Sequence, residues 1–315
     1  MSVVYFVVPC YNEEEVLPET VRRLNEKIQE LIKKDLASEE SRVLFVDDGS
    51  KDRTWELIEK YSIESKYIGG VKLSRNRGHQ NALLAGLMTA KGKCDCVISL
   101  DADLQDDIGV LDQFVKKYQE GCEVVYGVRS SRETDTAFKR GTAQGYYKFM
   151  AMLGVDIVYN HADYRLMGSR ALDALAGYRE VNLFLRGIVP LIGFRSDYVY
   201  YERSERFAGE SKYPLKKMLK FAVDGITSFS VKPLKIISNL GIIICLLSVI
   251  FFIYSLISFF TGSSVAGWAS IMCSIWFLGG LQMLCIGIVG TYVGKIYSES
   301  KHRPRFIIDK TIIRK

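Results

Sequence analysis

A long stretch without any charged residue constrains this chain more than any other feature. From Ile236 to Gly294 the sequence contains no Asp, Glu, Lys or Arg, whereas the residues before it are as charge-rich as a soluble protein. A helix that crosses a membrane needs roughly 20 apolar residues, so this stretch has room for two. We predict spans near Leu234–Phe260 and Trp268–Gly294; a very hydrophobic soluble helical hairpin is the alternative.

Basic residues flank both predicted spans and set their orientation. Lysines and arginines cluster before the first span and after the second, so the positive-inside rule puts both termini in the cytoplasm. The N-terminus lacks the basic start and cleavage site of a signal peptide, which predicts a cytoplasmic large domain on the cell membrane. The formal net charge of +6 lies largely beside the bilayer, where it favours anionic head groups. No nucleic-acid-binding motif accompanies it.

The sequence divides into four predicted regions. Leu215, Met218, Leu219 and Ala222 recur at helical spacing with lysines elsewhere on the wheel, which predicts an amphipathic interfacial helix just before the first span. Packing of that helix on the soluble domain is the alternative. The regions are an α/β domain over 1–212, the juxtamembrane helix over 213–232, a two-helix transmembrane hairpin over 233–294 and a cytoplasmic basic tail over 295–315.

Strand and helix signals alternate through the first region. Short apolar runs over 3–8, 43–46, 71–73, 97–100 and 123–128 are separated by segments with helical periodicity. Repeated strand–helix units of this length predict an α/β fold with a doubly wound, mostly parallel sheet that helices cover on both faces.

Polar segments follow the first four predicted strands. Such strand ends meet in one crevice of a doubly wound sheet, where ligands bind. The acidic, amide and small residues collected there suit the base, ribose and phosphates of a nucleotide. Neither the glycine-rich dinucleotide motif nor a phosphate loop with Gly-Lys-Ser/Thr is present, which argues against both of those nucleotide sites. The segments are 9–14, 47–52, 74–78 and 101–105.

Two carboxylates and an amide stand at alternate positions after the fourth strand. Asp101, Asp103 and Gln105 offer the hard oxygen ligands that suit Mg²⁺ or Mn²⁺, ions that take their other ligands from water and substrate phosphates. A lone Asp-x-Asp is also common in solvated turns. The metal prediction therefore depends on the polar segments around it.

Six segments, in order, resemble family 2 glycosyltransferases of the GT-A fold. The resemblance extends to the two C-terminal spans and is greatest to the polyprenyl-phosphate branch, which includes bactoprenol glucosyltransferases and dolichol-phosphate mannose synthases. One departure is Asp107, where many relatives have Pro. The matching segments are Val8-Pro9-Cys10-Tyr11-Asn12-Glu13, residues 46–54, residues 73–78, residues 101–106, Ala162-Asp163-Tyr164-Arg165-Leu166 and residues 202–213.

The resemblance implies a reaction and its donor site. A sugar moves, with inversion, from a nucleoside diphosphate to a membrane polyprenyl phosphate, and a divalent ion neutralises charge on the leaving diphosphate. Asn12 and Ser50 could alternatively serve only as caps of their turns. The residues that the family places around the nucleotide sugar are Pro9, Tyr11, Asn12, Glu13, Asp48, Ser50, Arg75, Asp101, Ala102 and Asp103.

The resemblance also implies an acceptor side. Asp163 is the family's candidate general base, and with Asp103 it makes up the predicted catalytic pair. A phosphate monoester is mostly dianionic at neutral pH and hardly needs a base. Asp163 could instead position the acceptor or stabilise positive charge on the sugar. The predicted ligands of the lipid phosphate are Arg132, Arg140, Arg206 and Lys212.

The donor sugar stays open at this point. Glucose carried by UDP is the first choice, with UDP-N-acetylglucosamine or GDP-mannose as alternatives, because a few pocket contacts decide specificity. A processive polysaccharide synthase would have more spans and a Gln-x-x-Arg-Trp type motif, which are absent. A non-catalytic membrane scaffold that retains the fold is the alternative from another class. Each of these functions is compatible with a homo-oligomer.

Overall fold

The computed structural model describes residues 1–130, 161–181, 183–202, 232–260 and 268–314. In these ranges eight strands form one mixed sheet. The strands are β1 (Val4–Cys10), β2 (Arg42–Asp47), β3 (Ile68–Leu73), β4 (Cys96–Ser99), β5 (Val124–Arg129), β6 (His161–Gly168), β7 (Ser196–Tyr201) and β8 (Ile308–Ile312). Their order across the sheet is β7-β5-β6-β4-β1-β2-β3-β8.

Helices alternate with the strands, as the sequence predicts. A short 3₁₀ turn, Ile108–Val110, precedes the fourth helix. The helices are α1 (Leu17–Lys33), α2 (Thr54–Glu64), α3 (His79–Ala90), α4 (Leu111–Gln119), α5 (Ser169–Ala176), α6 (Leu185–Leu191), α7 (Lys232–Phe260) and α8 (Trp268–Ser300).

The centre of the sheet is parallel and doubly wound. β4, β1, β2 and β3 are neighbours and all run in one direction, and β5 and β7 are parallel to each other. β6 lies between β4 and β5 and is antiparallel to both. The predicted α/β class with a mostly parallel sheet is therefore confirmed, and β6 is a strand that the apolar-run pattern did not reveal.

Side chains of the central strands alternate between two cores. Phe6 and Val8 of β1 pack on the face that α1, α2 and α4 cover, with Leu24 among their neighbours. Tyr5 and Val7 face the opposite core, which α3, α5 and α6 cover. This alternation follows from the pleat of a strand, whose successive side chains point to opposite faces. Because helices cover both faces, ligands can reach the sheet only at the strand ends.

The segment after α8 belongs to the sheet and is not a separate tail. Residues 295–315 were predicted as a basic tail, but β8 pairs antiparallel with β3 at the edge of the sheet. Both carboxylate oxygens of Glu299 accept from the Val181 amide, at 2.8 and 2.9 Å. Arg305 donates to the Tyr178 carbonyl at 2.7 Å. The physical reason is that, without β8, the backbone N–H and C=O groups on the outer edge of β3 would have no strand partner.

Two long apolar helices follow the sheet domain, and large apolar side chains on both are exposed. Ile242 is 59% and Phe277 71% accessible. Among the described residues, one helical stretch, Phe277–Ser300, is long and apolar enough to cross a membrane, with a mean hydropathy of 1.6 and none of it buried. The two-span hairpin and its orientation stay predictions. Residues 131–160 and 203–231, which include most of the predicted interfacial helix, lie outside the described ranges.

Candidate functional site

The carboxyl ends of the four central strands meet at one edge of the sheet. Cys10 of β1 is in register with Asp47 of β2, and Asp47 in turn with Lys72 of β3. Ser99 at the end of β4 is beside Val7 of β1. The polar segments that leave these strands therefore form one crevice, as the strand order predicts.

Hydrogen bonds join the loops after β1 and β2. The Asn12 amide donates to the Ser50 hydroxyl at 3.0 Å, and the Lys51 amide donates to the Asn12 side-chain oxygen at 2.9 Å. The Ser50 amide donates to Asp47 at 3.0 Å. Asn12 has a φ of 52°, a left-handed conformation that Asn tolerates better than most residues. Asn12 and Ser50 thus hold the loops after β1 and β2 together.

Asp48 holds the loop after β3. Its two carboxylate oxygens accept from the amides of Arg77 and Gly78, at 2.7 and 2.8 Å. Gly49 has a φ of 66°, and a Cβ there would lie 2.6 Å from the carbonyl carbon of Arg75. The side chain of Arg75 itself is exposed at the crevice edge. Asp48 therefore fixes the backbone that carries Arg75.

The predicted metal-binding segment alternates between the core and the crevice. Ala102, Leu104 and Asp106 are buried, whereas Asp101, Asp103 and Gln105 are partly exposed. Leu104 has a φ of 57°, and the Gln105 amide donates to Asp103 Oδ1 at 3.2 Å. Desolvation raises the pKa of Asp101 and thus disfavours its charged form. A cation beside Asp101 would act in the opposite direction and stabilise the carboxylate.

Asp101, Asp103 and Gln105 are hard oxygen donors, which suit Mg²⁺ or Mn²⁺ better than Zn²⁺. Within the described ranges no group of three His, Cys, Asp or Glu side chains converges to hold a metal. Two carboxylates and an amide are sufficient for an ion that keeps several water or phosphate ligands. Asp101, Asp103 and Gln105 therefore suit Mg²⁺ or Mn²⁺ in the company of a diphosphate.

Asp163 lies across the crevice from the metal-binding segment. It is on β6, where Arg165 is in register with Ser99 of β4, and the Ser99 hydroxyl donates to the Asp163 carbonyl at 2.5 Å. Arg165 donates to Asp163 Oδ1 at 2.5 Å. Arg186, on α6, donates to both oxygens of Asp163, at 3.3 and 3.2 Å.

His79 completes this Asp163 cluster, which we define as Asp163, Arg165, Arg186 and His79. The Nε2 atom of His79 is 3.4 Å from Asp163 Oδ2 and 3.7 Å from Asp101 Oδ1. Burial by itself disfavours the charged imidazolium, but the hydrogen bond to Asp163 and the charge of Asp101 prevail and raise the pKa of His79 to about 9. His79 therefore connects the metal-binding segment to Asp163.

The same cluster weakens Asp163 as a proton acceptor. Burial favours the neutral acid, but Arg186, the hydrogen bond from His79 and Arg165 together hold the pKa of Asp163 well below its usual range. A general base works best when its pKa is close to the working pH. A pKa below the usual range is unfavourable for a general base, and both predicted roles of Asp163 stay predictions.

A second acidic group lies buried behind the metal-binding segment. Asp106 Oδ1 accepts from the Tyr201 hydroxyl at 2.6 Å, and within the described part of the chain Oδ2 has no hydrogen-bond partner. Desolvation, with a further contribution from Asp101, raises the pKa of Asp106 to about 6. Because Tyr201 is the last residue of β7, this bond ties Asp106 to the end of that strand.

The structure thus gathers most of the predicted donor residues, and it adds two that the sequence did not single out. Pro9 is buried at the end of β1, and Tyr11 and Glu13 are partly exposed in the following loop. From the sequence alone, His79 after Gly78 at a helix start indicates a cap or a sugar contact, and Arg186 is one arginine in an apolar segment without a further signal. The predicted lipid-phosphate ligands Arg132, Arg140, Arg206 and Lys212 lie outside the described residues.

Comparisons with known proteins agree with this architecture. The model of the family "Glycosyl transferase family 2" matches residues 5–175. An uncharacterised glycosyltransferase of Bacillus subtilis (strain 168), YkoT, is 58% identical over 98% of this chain and 91% of its own length. A bactoprenol glucosyl transferase of Shigella phage SfV is 39% identical over 96% of both chains.

Among solved structures, one to which the chain shows some similarity is glucosyl-3-phosphoglycerate synthase from Mycobacterium tuberculosis. It has a TM-score of 0.47 and 16% identity, and the match covers 72% of this chain and 79% of that one. The family match covers the sheet domain up to α5, and the sequence relatives extend the match over nearly the whole chain. This chain therefore belongs to glycosyl transferase family 2.

Proposed function

We propose that this chain transfers glucose from UDP-glucose to a membrane polyprenyl phosphate such as undecaprenyl phosphate, as a donor for cell-envelope glycosylation. One observation carries the proposal. Relatives whose names specify bactoprenol glucosyl transfer match 96% of this chain, beyond the family domain and through both apolar helices. A likeness confined to the sheet domain would leave the acceptor open.

The crevice supplies the donor side of this reaction. Tyr11, Glu13 and Arg75 surround the place of the nucleobase and ribose, and Asp48 fixes the loop that carries Arg75. Asp101, Asp103 and Gln105 would hold Mg²⁺ or Mn²⁺ on the diphosphate. A bound divalent ion supplies positive charge that stabilises the leaving group.

The acceptor reacts as a phosphate oxyanion. One of its oxygens attacks the anomeric carbon, the bond from that carbon to the diphosphate oxygen breaks, and the configuration inverts. A monoester dianion needs no proton removed, which agrees with the lowered pKa of Asp163. Arg132, Arg140, Arg206 and Lys212 are the proposed ligands of the lipid phosphate.

The membrane arrangement is part of the same proposal. The two apolar helices form a hairpin, with the sheet domain and both termini in the cytoplasm. Cysteine accessibility in intact cells tests this: Ser264→Cys should be labelled from outside, and Lys310→Cys only after lysis. The reverse pattern at either position would refute the topology.

Sugar transfer by the purified full-length chain tests the reaction. The chain is incubated with undecaprenyl phosphate, Mg²⁺ and UDP-glucose, UDP-N-acetylglucosamine or GDP-mannose in turn, and lipid-bound sugar is counted. We expect product from UDP-glucose and none in excess chelator. Product from another donor would change the proposed sugar and leave the proposed acceptor and reaction as they are. No product from any donor would favour a non-catalytic membrane scaffold.

Two variants separate the donor and acceptor sides. We expect Arg206→Ala to raise the KM for undecaprenyl phosphate about ten- to hundredfold, because a charge-assisted contact is lost, and to leave UDP binding unchanged. Asp103→Ala should instead weaken UDP binding and leave the KM for undecaprenyl phosphate little changed. If Arg206→Ala weakens UDP binding as much as lipid use, Arg206 belongs to the donor site.

A further inference from the structure

Arg186 occupies a position that three elements build. The Leu185 amide donates to Gln80 of α3 at 2.9 Å, and the Leu185 carbonyl accepts from Arg165 of β6 at 3.3 Å. The backbone immediately before Arg186 is therefore held on both sides. This support directs the guanidinium to Asp163, whose two oxygens it contacts.

Exposure separates the members of the Asp163 cluster into inner and outer groups. The side chains of Arg165 and Asp163 are 2% and 8% exposed, whereas those of His79 and Arg186 are 32% and 40% exposed. Arg165 already supplies a buried counter-charge to Asp163. A second arginine whose only purpose was neutralisation would have no reason to be this open to solvent.

The charges of the cluster favour a further anion. One carboxylate, Asp163, faces two guanidinium groups, which stay charged at any pH of interest. Among the described residues, Asp101 lies 3.7 Å from His79 on the side of residues 101–105, and the charge of Asp48 also acts on His79. The side chain of Arg186 is 40% exposed, so part of its guanidinium group is accessible to an anion in partly desolvated surroundings, where opposite charges attract strongly.

We propose that Arg186 is a phosphate-binding residue, which Asp163 aims into the crevice and whose guanidinium contacts the phosphate oxygens of a bound substrate. The planar fork of arginine matches phosphate oxygens in pairs, which a lysine cannot reproduce. Asp163 and His79 join Arg186 to Asp101 in one continuous series of contacts. The phosphate bound by Arg186 is thus close to the metal-binding segment.

Two phosphates could fill this position: the monophosphate of the lipid acceptor and the diphosphate of the sugar donor. The identity of these substrates rests on the proposed function, whereas the contact with Arg186 rests on the geometry. Both ligands present the same oxyanion chemistry, so kinetic and binding measurements must separate them.

The test compares Arg186→Gln and Arg186→Lys with wild type in the full-length chain. The KM values for undecaprenyl phosphate and UDP-glucose are measured, together with calorimetric UDP binding in Mg²⁺. We expect Arg186→Gln to raise one of these constants about ten- to hundredfold, with a smaller rise for Arg186→Lys. A rise confined to undecaprenyl phosphate identifies the acceptor, and a rise confined to UDP-glucose and UDP identifies the donor.

A matched control is Arg170→Gln, since Arg170 is an exposed arginine beyond the opposite end of β6. It should leave all three constants unchanged. If Arg186→Gln does not fold, the same three constants are compared between wild type and Arg186→Lys, which retains the positive charge beside Asp163. Folded variants with wild-type KM values and UDP affinity, even with a lower kcat, would refute phosphate binding. Failure of wild type to bind or use undecaprenyl phosphate would refute the proposed function instead.

Discussion

Replacing Asp163 by Asn should unfold the sheet domain at a lower temperature as well as stop transfer. Arg165 is 2% exposed and would lose the carboxylate that it contacts at 2.5 Å. Removing one partner of a buried pair costs about 3–5 kcal/mol, because the remaining charge is buried without compensation. For a domain of this size that corresponds to roughly a 10 °C fall in the unfolding midpoint.

The measurement is thermal unfolding of the detergent-solubilised full-length chain, followed by near-ultraviolet circular dichroism. The matched control is Asp173→Asn, since that carboxylate is 65% exposed and its contact with Lys91 is a surface ion pair. Such a pair contributes about 0–1 kcal/mol. Adding Arg165→Met to Asp163→Asn should restore part of the stability, because the uncompensated buried guanidinium is removed.

The pH dependence has a defined sign. Because the folded pKa of Asp163 is depressed, its stabilising contribution is present above the unfolded value of about 3.9 and is lost only as the pH falls below it. The contact with Asp163 also raises the pKa of His79 to about 9, and its stabilising contribution is full below about pH 6.5 and is lost as the pH rises towards 9. The penalty of Asp163→Asn should therefore be constant from about pH 5 to 6.5 and become smaller above that range. An inactive Asp163→Asn variant with the wild-type midpoint, together with a wild-type kcat that titrates near neutral pH, would refute this reasoning and restore the general-base role.

Three further predictions address the donor side. Asp103→Ala should lower transfer by at least about a hundredfold, as excess chelator should, with the unfolding midpoint unchanged; full activity in either case would exclude the metal. Burial raises the pKa of Asp106 to about 6, so wild type loses stability as the pH rises from about 4 to 6. In chelator, Asp106→Asn should therefore gain about 2 kcal/mol on wild type between pH 4.5 and 7.5. Gly49→Ala should weaken UDP binding and lower the midpoint more than Gly92→Ala, because both glycines have positive φ but only the Cβ at residue 49 would clash with Arg75; equal effects would show that the clash is unimportant.

The sequence predicts the crevice because the rules that place it are local. An apolar run marks a strand, and polar residues directly after it must lie at the edge of a parallel sheet. The alternation of Asp101, Asp103 and Gln105 with buried neighbours follows from the same pattern. For these residues, a polar side chain directly after an apolar strand is sufficient to predict a place at the crevice.

Partners that are distant in the chain could not be predicted in the same way. Asp48 is identified by its segment, but its bonds to Arg77 and Gly78 depend on how closely β2 and β3 approach. Arg186 is directed to Asp163 by Gln80, more than one hundred positions earlier in the chain. A sequence pattern names candidate groups, whereas the pKa values of His79 and Asp163 depend on distances that only the fold sets.

The position of β8 also affects the order in which the molecule is made. β8 is translated after α7 and α8, yet it pairs with β3, which leaves the ribosome much earlier. During that interval the outer edge of β3 has no strand beside it, and such an edge can pair with other chains. Closing a loop of this length is entropically costly and slow. Completion of the sheet therefore comes after synthesis of both apolar helices. If these helices enter the bilayer as proposed, a failure to insert them would also leave the edge of β3 without its partner strand.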